Sequence, residues 1–391
     1  MVDRLLKLLK ILGNNNSTFL FGPRGVGKTL LSKEFIRHSQ PSFEIDLLES
    51  DSYIRYLSSP SLFRKEVENK IKEGQILTVF VDEVQKVPRL LDEIHLLIEK
   101  YKGLVRFLLT GSSARKLKRG GANLLAGRAW TLKLHPLTHR EYDIDLNRAM
   151  KFGTLPAVYL NIDQPERTLK AYVETYLKEE LMQEAIVRRI EGFIKFLDVA
   201  GQMNGEPVNF TKVSRECNVS PKTAMDYFSI LVDTLIAFRI EAWTSSARKQ
   251  LRHSPKFYFF DCGVLNATRG ELKTELKESS YRYGKLFETF IITELIRLND
   301  YYESDYKFYY WRTNTGMEVD IILSRGVNEK PIAIEIKSKS APGNEDCRGL
   351  VSFSSENPSA RLICICTSPH SYQLGNIEVL PWKEAMETVF S

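Results

Sequence analysis

Residues 18–32 read TFLFGPRGVGKTLLS, so a short apolar segment runs into a glycine-rich turn and then into a second apolar segment. The turn supplies every position of a phosphate-binding loop, namely Gly22, Pro23, Arg24, Gly25, Val26, Gly27, Lys28 and Thr29. Its flanks predict a strand before the loop and a helix after it, which is the context that such a loop requires. Backbone N–H groups and the helix N-terminus would face phosphate oxygens, Lys28 would reach the β- and γ-phosphates, and Thr29 would ligate Mg²⁺. The stretch therefore predicts an α/β fold that binds ATP, or another nucleoside triphosphate, with Mg²⁺.

Composition sets the class of protein. A chain of 391 residues predicts two or three domains, and 43% hydrophobic with 27% charged residues is ordinary for a globular protein. The net charge of +6 is a mild basic bias that is compatible with nucleic acid. Of the five cysteines, Cys364 and Cys366 alternate with isoleucines, which favours buried thiols in a reducing cytoplasm. Since no apolar run reaches membrane-spanning length, we expect a soluble, cytoplasmic protein with no membrane partner.

The first 150 residues alternate between strand-like and helix-like segments. Strands are predicted at 18–21, 43–47, 76–81, 105–109 and 130–134. Helices are predicted at about 29–38, 61–72 and 89–101. The strand runs are almost continuously apolar, which is typical of parallel strands buried on both faces. The pattern predicts a parallel sheet covered by helices on both sides.

Polar side chains follow the predicted strands where an ATPase needs them. Asp82 and Glu83 end the apolar run VFVDE, where an aspartate holds the Mg²⁺ shell and a glutamate polarises the attacking water. Thr110 or Ser112 ends the next strand and is the candidate sensor of the γ-phosphate. Arg128 is our first candidate for an arginine finger, acting within the chain or on a neighbouring subunit, ahead of Arg115 and Arg119.

The middle of the chain predicts a winged helix. A short helix is predicted at 208–217, followed by a turn and by a recognition-type helix at 222–236. Ser220 would cap this second helix, and Pro221 suits its first position. Its inward-facing residues would be Ala224, Phe228, Leu231 and Leu235. Wing strands are predicted at 238–243 and 257–260. A basic loop between them carries Arg248, Lys249, Arg252 and His253. Lys222 and the wing residues would contact DNA phosphates, whereas Asp226 opposes an anionic partner, so a protein-contact module is the alternative.

The last third carries an acidic set on a helix and two strands. Glu288 lies on a predicted helix at 286–298, Asp320 in a strand at 318–323, and Glu335 with Lys337 in a strand at 331–336 and just beyond. This order is the PD-(D/E)XK nuclease pattern. Asp320 and Glu335 would share a Mg²⁺, Glu288 would assist, and Lys337 would orient or deprotonate the water. The same fold hosts inactive binding domains, so the pattern leaves cleavage open.

Together these segments resemble a known family. The phosphate loop, FVDEVQKVP, LLTGSSARKL, LLAGR, HPLTHREY, GTLP and YVETYL are similar to AAA-type P-loop ATPases of archaea and bacteria that carry a C-terminal domain of unknown function. The resemblance implies a sheet of the ASCE type and a winged helix in the middle region.

The hypothesis for the whole chain has three domains, and its function has two alternatives. The domains are an AAA-type ATPase at 1–150, a helical connector with a winged helix at 151–275, and a nuclease-like domain at 276–391. The hypothesis is an ATP-driven switch acting on a DNA-related C-terminal half. One alternative is an ATP-regulated, Mg²⁺-dependent DNA nuclease. The other is a signalling scaffold that binds a protein partner or a second copy of itself.

Overall fold

The computed structural model describes residues 2–12, 16–113, 115, 117, 125, 127–177, 190–244, 253–326 and 329–391. The chain divides into two compact units. The first comprises Met1–Pro136 and Asp233–Ile236, and the second comprises Leu137–Val232 and Ala237–Ser391. The domain boundaries predicted at 150/151 and 275/276 stay predictions. Residues 151–391, apart from Asp233–Ile236, all lie within the second unit.

The first unit is built on a five-stranded parallel sheet. Its strands are β1 (Ser17–Phe21), β2 (Ser42–Asp46), β3 (Leu77–Asp82), β4 (Val105–Gly111) and β5 (Ala129–Lys133). They lie in the order β2-β3-β4-β1-β5. Since β4 lies between β1 and β3, the order agrees with the sheet that the family resemblance implied. All five predicted strands are present, and the parallel sheet is consistent with a P-loop NTPase.

The helices of the first unit begin and end at clear local signals. They are α1 (Leu8–Leu12), α2 (Lys28–Arg37), α3 (Ser50–Ser58), α4 (Pro60–Glu68) and α5 (Leu90–Lys100). Helix α2 starts directly after Gly27, whose φ of 96° is a conformation that glycine adopts without strain. Proline occupies the first position of α4, where a missing N–H is harmless. Helix α3 was not predicted, although Tyr53, Ile54, Tyr56 and Leu57 recur in it at helical spacing; of its residues only Tyr56 is buried.

The second unit contains an eight-stranded mixed sheet. Its strands are β6 (Ala237–Ala242), β7 (Lys256–Phe259), β8 (Lys307–Arg312), β9 (Glu318–Ser324), β10 (Ile332–Lys337), β11 (Arg361–Cys366), β12 (Tyr372–Leu374) and β13 (Ile377–Pro381). The order is β12-β13-β11-β10-β9-β8-β6-β7. The β6/β7 hairpin therefore joins the same sheet as the C-terminal strands, through a parallel pairing of β6 with β8.

Ten described helices accompany this sheet. They are α6 (Leu146–Phe152), α7 (Pro156–Tyr159), α8 (Pro165–Ala171), α9 (Ile190–Gln202), α10 (Phe210–Glu216), α11 (Pro221–Asp233), α12 (Cys262–Thr268), α13 (Tyr281–Tyr301), α14 (Arg348–Glu356) and α15 (Trp382–Phe390). A π-helical turn, Tyr172–Leu177, follows α8. The sequence predicts one long helix at 166–189. Helix α8 and the π-helical turn form its first part, and the rest lies outside the described residues.

The predicted helix-turn-helix corresponds to α10 and α11. The Ser220 hydroxyl accepts a hydrogen bond from Thr223 N at 3.1 Å, so it caps α11 as the Ser-Pro pair indicated. The inward positions Ala224, Phe228 and Leu231 are buried. The predicted end of α11 is wrong: the helix stops at Asp233, and Leu235, with φ of 60°, packs against the hydrophobic core of the first unit. A left-handed backbone at Leu235 cannot continue a right-handed helix.

The C-terminal strands and helices follow the chain order α13-β8-β9-β10-α14-β11. Strands β8, β9 and β10 pair antiparallel, whereas β10, β11 and β13 pair parallel. Helix α13 begins at the Ser280 cap, whose hydroxyl accepts from Tyr283 N at 3.2 Å. Its middle is buried almost all round, which places Glu288, Glu294 and Arg297 inside the unit.

Buried charges on α13 bind the start of the second unit. Arg297 is 1% exposed and donates to Leu137 O at 3.2 Å, to Thr154 Oγ1 at 2.8 Å and to Phe260 O at 2.6 Å. Glu294, which is fully buried, accepts from His139 N at 2.7 Å and lies 3.5 Å from the Arg297 guanidinium. Buried polar groups require such partners, so this network holds the residues after Leu137 against α13.

No helix in the described ranges is both long enough and apolar enough to cross a lipid bilayer. All five cysteines are buried thiols, including Cys364 and Cys366 on β11, for which the alternating pattern predicted burial.

Candidate functional site

The phosphate-binding loop connects β1 to α2 and meets the ends of two neighbouring strands. Gly25 and Gly27 have φ of 82° and 96°, which lets successive N–H groups turn into one concavity. Gly22 N donates to Gly111 O at 3.3 Å at the end of β4. A Cβ atom at Gly22 would lie 2.3 Å from Leu134 O. Only glycine therefore fits between the loop and the chain that follows β5. Pro23 and Val26 are buried beneath the loop, whereas Arg24 is exposed at its tip.

Lys28 and Thr29 start α2 and face the acidic end of β3. Lys28 is 6% exposed, and its ammonium donates to Gly22 O at 2.8 Å and to Pro23 O at 3.1 Å. The Thr29 hydroxyl donates to the Asp82 carboxylate at 2.8 Å. Mg²⁺ prefers hydroxyl and carboxylate oxygens of this kind, together with phosphate oxygens. The oxygens of Thr29 and Asp82, next to a loop of backbone N–H groups, therefore fit a nucleotide with its Mg²⁺.

Thr110 joins the ends of β3 and β4. Its hydroxyl donates to the Asp82 carboxylate and accepts from Glu83 N at 3.2 Å. Glu83 has φ of 57°, an unfavourable backbone conformation for a residue with a side chain. Strain of this kind is typical of functional sites, where the surrounding structure holds it. Thr110 thus fixes Asp82 and the turn at Glu83.

Sequence reasoning missed Gln85. Its side-chain amide nitrogen donates to the Glu83 carboxylate and to the Ser112 hydroxyl, the latter at 3.1 Å. Gln85 is 6% exposed and lies in a 3₁₀ turn, Val84–Lys86, directly after β3. The signal that could have identified Gln85 was its position two residues after Glu83. A buried glutamine needs polar partners, and the predicted site supplies them.

Arg4 is a second residue that sequence reasoning missed. Its guanidinium is mostly buried and donates to Val26 O of the phosphate loop at 2.8 Å and to His135 O at 2.6 Å. Leucines at helical spacing among lysines in residues 1–12 predict an amphipathic helix and no more, because nothing local marks a side chain whose partners lie more than 20 positions away.

Arg128 does not lie near the phosphate loop of its own chain. It directly precedes β5, whose first residue, Ala129, pairs with Ser17 at the start of β1. The loop follows the other end of β1, and strands rise about 3.3 Å per residue. Arg128 forms an ion pair with Glu99 near the end of α5 instead. An arginine finger within the chain is therefore not supported for Arg128; the role on a neighbouring subunit stays a prediction. Arg115 pairs with Asp233, and Arg119 lies outside the described residues.

The C-terminal acidic residues come together on one face of the second sheet. The pairing of β10 with β9 runs to Ile334 and Ile321, and Glu335 and Asp320 are the next residues on the two strands. Asp320 is close enough to raise the pKa of Glu335, so the two carboxyl groups lie near each other. Asp320 also accepts from Ile336 N at 2.7 Å. The predicted strands thus have the predicted neighbours.

Protein donors engage most of these carboxylates. Tyr258 OH donates to Glu288 at 2.7 Å, and the Lys337 ammonium lies 2.6 Å from Glu335 Oε1. The buried Lys256 forms an ion pair with Glu318. Lys256 and Tyr258 both belong to β7, and no pattern in the sequence indicates that this strand reaches the acidic set.

Burial and mutual repulsion shift the ionisation of this set. Burial, followed by the nearby Glu288, raises the pKa of Asp320 to about 6. Burial and Asp320 raise the pKa of Glu335 well above its ordinary value. Burial by itself would lower the pKa of Lys337, but the carboxylates of Glu335 and Asp320 outweigh it and raise that pKa. The face therefore favours a proton on its carboxyl pair and a charge on its lysine.

A Mg²⁺ ion shared by Asp320 and Glu335 stays a prediction. Among the described residues, no three His, Cys, Asp or Glu side chains are grouped so that they could hold a metal ion. Glu335 Oε2 is buried without a hydrogen-bond partner, so one acceptor of the set is left over. Protein donors hold the other Glu335 oxygen and one oxygen each of Glu288 and Asp320.

The structure describes only some of the residues that were predicted at the DNA-binding surface. Lys222 and Asp226 are exposed on α11, and His253 is exposed before β7. Arg248, Lys249 and Arg252 lie outside the described residues.

Comparison with known families divides the chain into three matched regions. Residues 14–143 match the sequence model of an AAA domain. Residues 143–275 and 283–385 match two families described as Domain of unknown function (DUF8612) and Domain of unknown function (DUF4143). The first match supports an AAA-type ATPase at the N-terminus.

Similar proteins occur in two mycobacteria and in Haemophilus influenzae. Two uncharacterized proteins, one of Mycobacterium bovis and one of Mycobacterium tuberculosis, are each 25% identical to this chain over 380 residues. Each alignment covers 96% of this chain and 82% of the relative. An uncharacterized protein of Haemophilus influenzae is 22% identical over 310 residues, or 71% of this chain and 73% of the relative.

Proposed function

We propose that this protein binds and hydrolyses ATP at the loop between β1 and α2, and that the nucleotide state switches the activity of the C-terminal half. The observation that carries the proposal is the hydrogen bond from Thr29 to Asp82, which brings the Mg²⁺-ligating residue types of the loop and of β3 to one point. The AAA domain match over residues 14–143 supports the same chemistry.

Each residue of the site has a definite part in this proposal. The loop amides and Lys28 bind the phosphates, and Thr29 with Asp82 holds Mg²⁺, which neutralises charge on the transferring phosphoryl group. Glu83 orients and polarises the attacking water. Ser112 contacts the γ-phosphate, because Thr110 already bonds Asp82 and Glu83 N, whereas the Ser112 hydroxyl proton has no acceptor within the described residues.

Replacing Lys28 with alanine tests the nucleotide site. A charge-assisted hydrogen bond to phosphate is worth about 1.5–3 kcal/mol, so Lys28→Ala should weaken ATP binding by roughly 10-fold to 100-fold. Titration of a fluorescent ATP analogue with Mg²⁺ measures the effect. Lys33→Ala is the matched control, because Lys33 is exposed on the same helix. Equal affinity of Lys28→Ala and wild type would contradict the proposed site.

We further propose that the C-terminal half acts on DNA. The helix pair α10 and α11, the β6/β7 hairpin beside it and the net charge of +6 support a DNA-contacting module. Cleavage is the second candidate, favoured by the alignment of Asp320 with Glu335 on adjacent strands and by the partnerless oxygen of Glu335. No cleavage step is assigned to the acidic set, because the Mg²⁺ that such a step needs is itself a prediction.

A combined binding and cleavage assay separates these functions. With single-stranded, duplex and branched DNA, we expect binding that weakens as salt rises and no cleavage, with or without ATP and Mg²⁺. Mg²⁺-dependent nicking that disappears in Asp320→Asn and Glu335→Gln would establish the nuclease instead. Absence of both binding and cleavage would favour the protein-binding scaffold. Glu356→Gln is the control, because Glu356 is exposed at the C-terminal end of α14.

A further inference from the structure

One side chain links the two polar ends of β3 and β4. Gln85 donates from a single amide nitrogen to the Glu83 carboxylate and to the Ser112 hydroxyl. The assignment of nitrogen to this side follows from chemistry, because an amide oxygen facing the Glu83 carboxylate would repel it. Both N–H bonds of the amide therefore point at proposed catalytic residues.

Stability alone does not explain a glutamine at this position. Gln85 Oε1 is buried and has no hydrogen-bond partner among the described residues. A buried carbonyl oxygen without a donor is destabilising, and a methionine of similar length would fill the same space without that penalty. A polar group that is retained at such a cost needs a functional reason.

The backbone next to Gln85 makes room for its amide. A Cβ atom at Gly111 would lie 2.6 Å from Gln85 Oε1, so glycine at this position leaves the amide the space that it occupies. Gly111 O also accepts from Gly22 N of the phosphate loop. The amide is thus held between the turn after β3 and the last residue of β4, beside the loop that receives the phosphates.

We propose that Gln85 is a positioning residue that transmits γ-phosphate contact from Ser112 to Glu83. The Ser112 hydroxyl accepts from Gln85 and donates to the phosphate, and linked hydrogen bonds of this kind strengthen one another. The amide then fixes the Glu83 carboxylate towards the attacking water. This inference rests on the proposed ATPase function, and it assigns the coupling between phosphate sensing and hydrolysis to a residue that touches neither phosphate nor water.

Gln85→Met is the direct test, since methionine keeps the length and packing but removes the amide. We expect kcat to fall by roughly 10-fold to 100-fold, because a hydrogen bond to a charged group is lost, while KM and the Kd of an ATP analogue stay unchanged. The unchanged Kd also reports that the site is folded. Lys86→Met, at the exposed neighbouring position, should keep the wild-type kcat.

A double-mutant cycle with Ser112→Ala tests the link itself. If Gln85 acts through Ser112, the double variant should lose no more activity than the more damaged single variant. Multiplying losses would overturn the link. A wild-type kcat in Gln85→Met would overturn the positioning role, and the proposed ATPase function would still stand if Glu83→Gln were inactive. Absence of ATP turnover in the wild-type protein would overturn both.

Discussion

Replacing Glu83 with glutamine should leave ATP binding intact and lower kcat by about 100-fold or more, the range for loss of a general base. Glutamine keeps the size of the side chain but cannot accept a proton from water. The Glu83 backbone N–H donates to the Thr110 hydroxyl, a contact that the substitution keeps, so the nucleotide pocket should keep its shape. Steady-state phosphate release and analogue binding measure the two quantities separately.

The control for this variant is Glu73→Gln, because Glu73 is exposed in the turn before β3. It should hydrolyse ATP at the wild-type rate. If Glu83→Gln turned over ATP as fast as the control, Glu83 would lose its assigned role, and the base would have to be sought elsewhere in the first unit.

Replacing Arg297 with methionine should destabilise the second unit by about 3–5 kcal/mol, the usual effect of removing one partner from a buried ion pair. The change leaves Glu294 charged without its nearby cation. It also removes the donor to three buried acceptors, Leu137 O, Thr154 Oγ1 and Phe260 O. Urea unfolding followed by intrinsic fluorescence measures the difference.

Arg348→Met provides the comparison for this loss, since Arg348 is 65% exposed and pairs only with the exposed Glu345. Its unfolding midpoint should stay within error of wild type, because exposed ion pairs contribute little. Similar midpoints for Arg297→Met and Arg348→Met would show that the buried network does not hold the unit together. ATP binding in Arg297→Met should persist, because Arg297 belongs to the second unit.

Local patterns were sufficient for the first sheet. Each strand there is an apolar run bounded by turn residues, and the phosphate loop is contiguous in sequence, so its members needed no tertiary information. Helix α3 escaped prediction because it buries only Tyr56. The end of α11 was misplaced because Leu235 keeps the helical spacing of apolar residues, whereas its backbone turns left-handed and the side chain packs in the first unit.

At both candidate sites, the sequence could not predict polar contacts between residues that are far apart in the chain. Arg4, Lys256 and Tyr258 meet partners far along the chain, and spacing in the sequence carries no record of such encounters. The acidic residue types, their order and Lys337 were predictable, but the contacts that Lys256 and Tyr258 of β7 make with Glu318 and Glu288 were not. The position of Arg128 became clear only from the register of β5 against β1.

Strands β6 and β7 belong to the same sheet as the C-terminal strands, which limits where the chain can be truncated. A fragment that starts at residue 276 would remove β6 and β7, leaving β8 as an open edge with unpaired N–H and C=O groups, which invites aggregation. The same cut would take Lys256 from Glu318 and Tyr258 from Glu288. Truncation there would therefore change both the solubility and the ionisation of the acidic face, and an inactive fragment would say nothing about the intact protein.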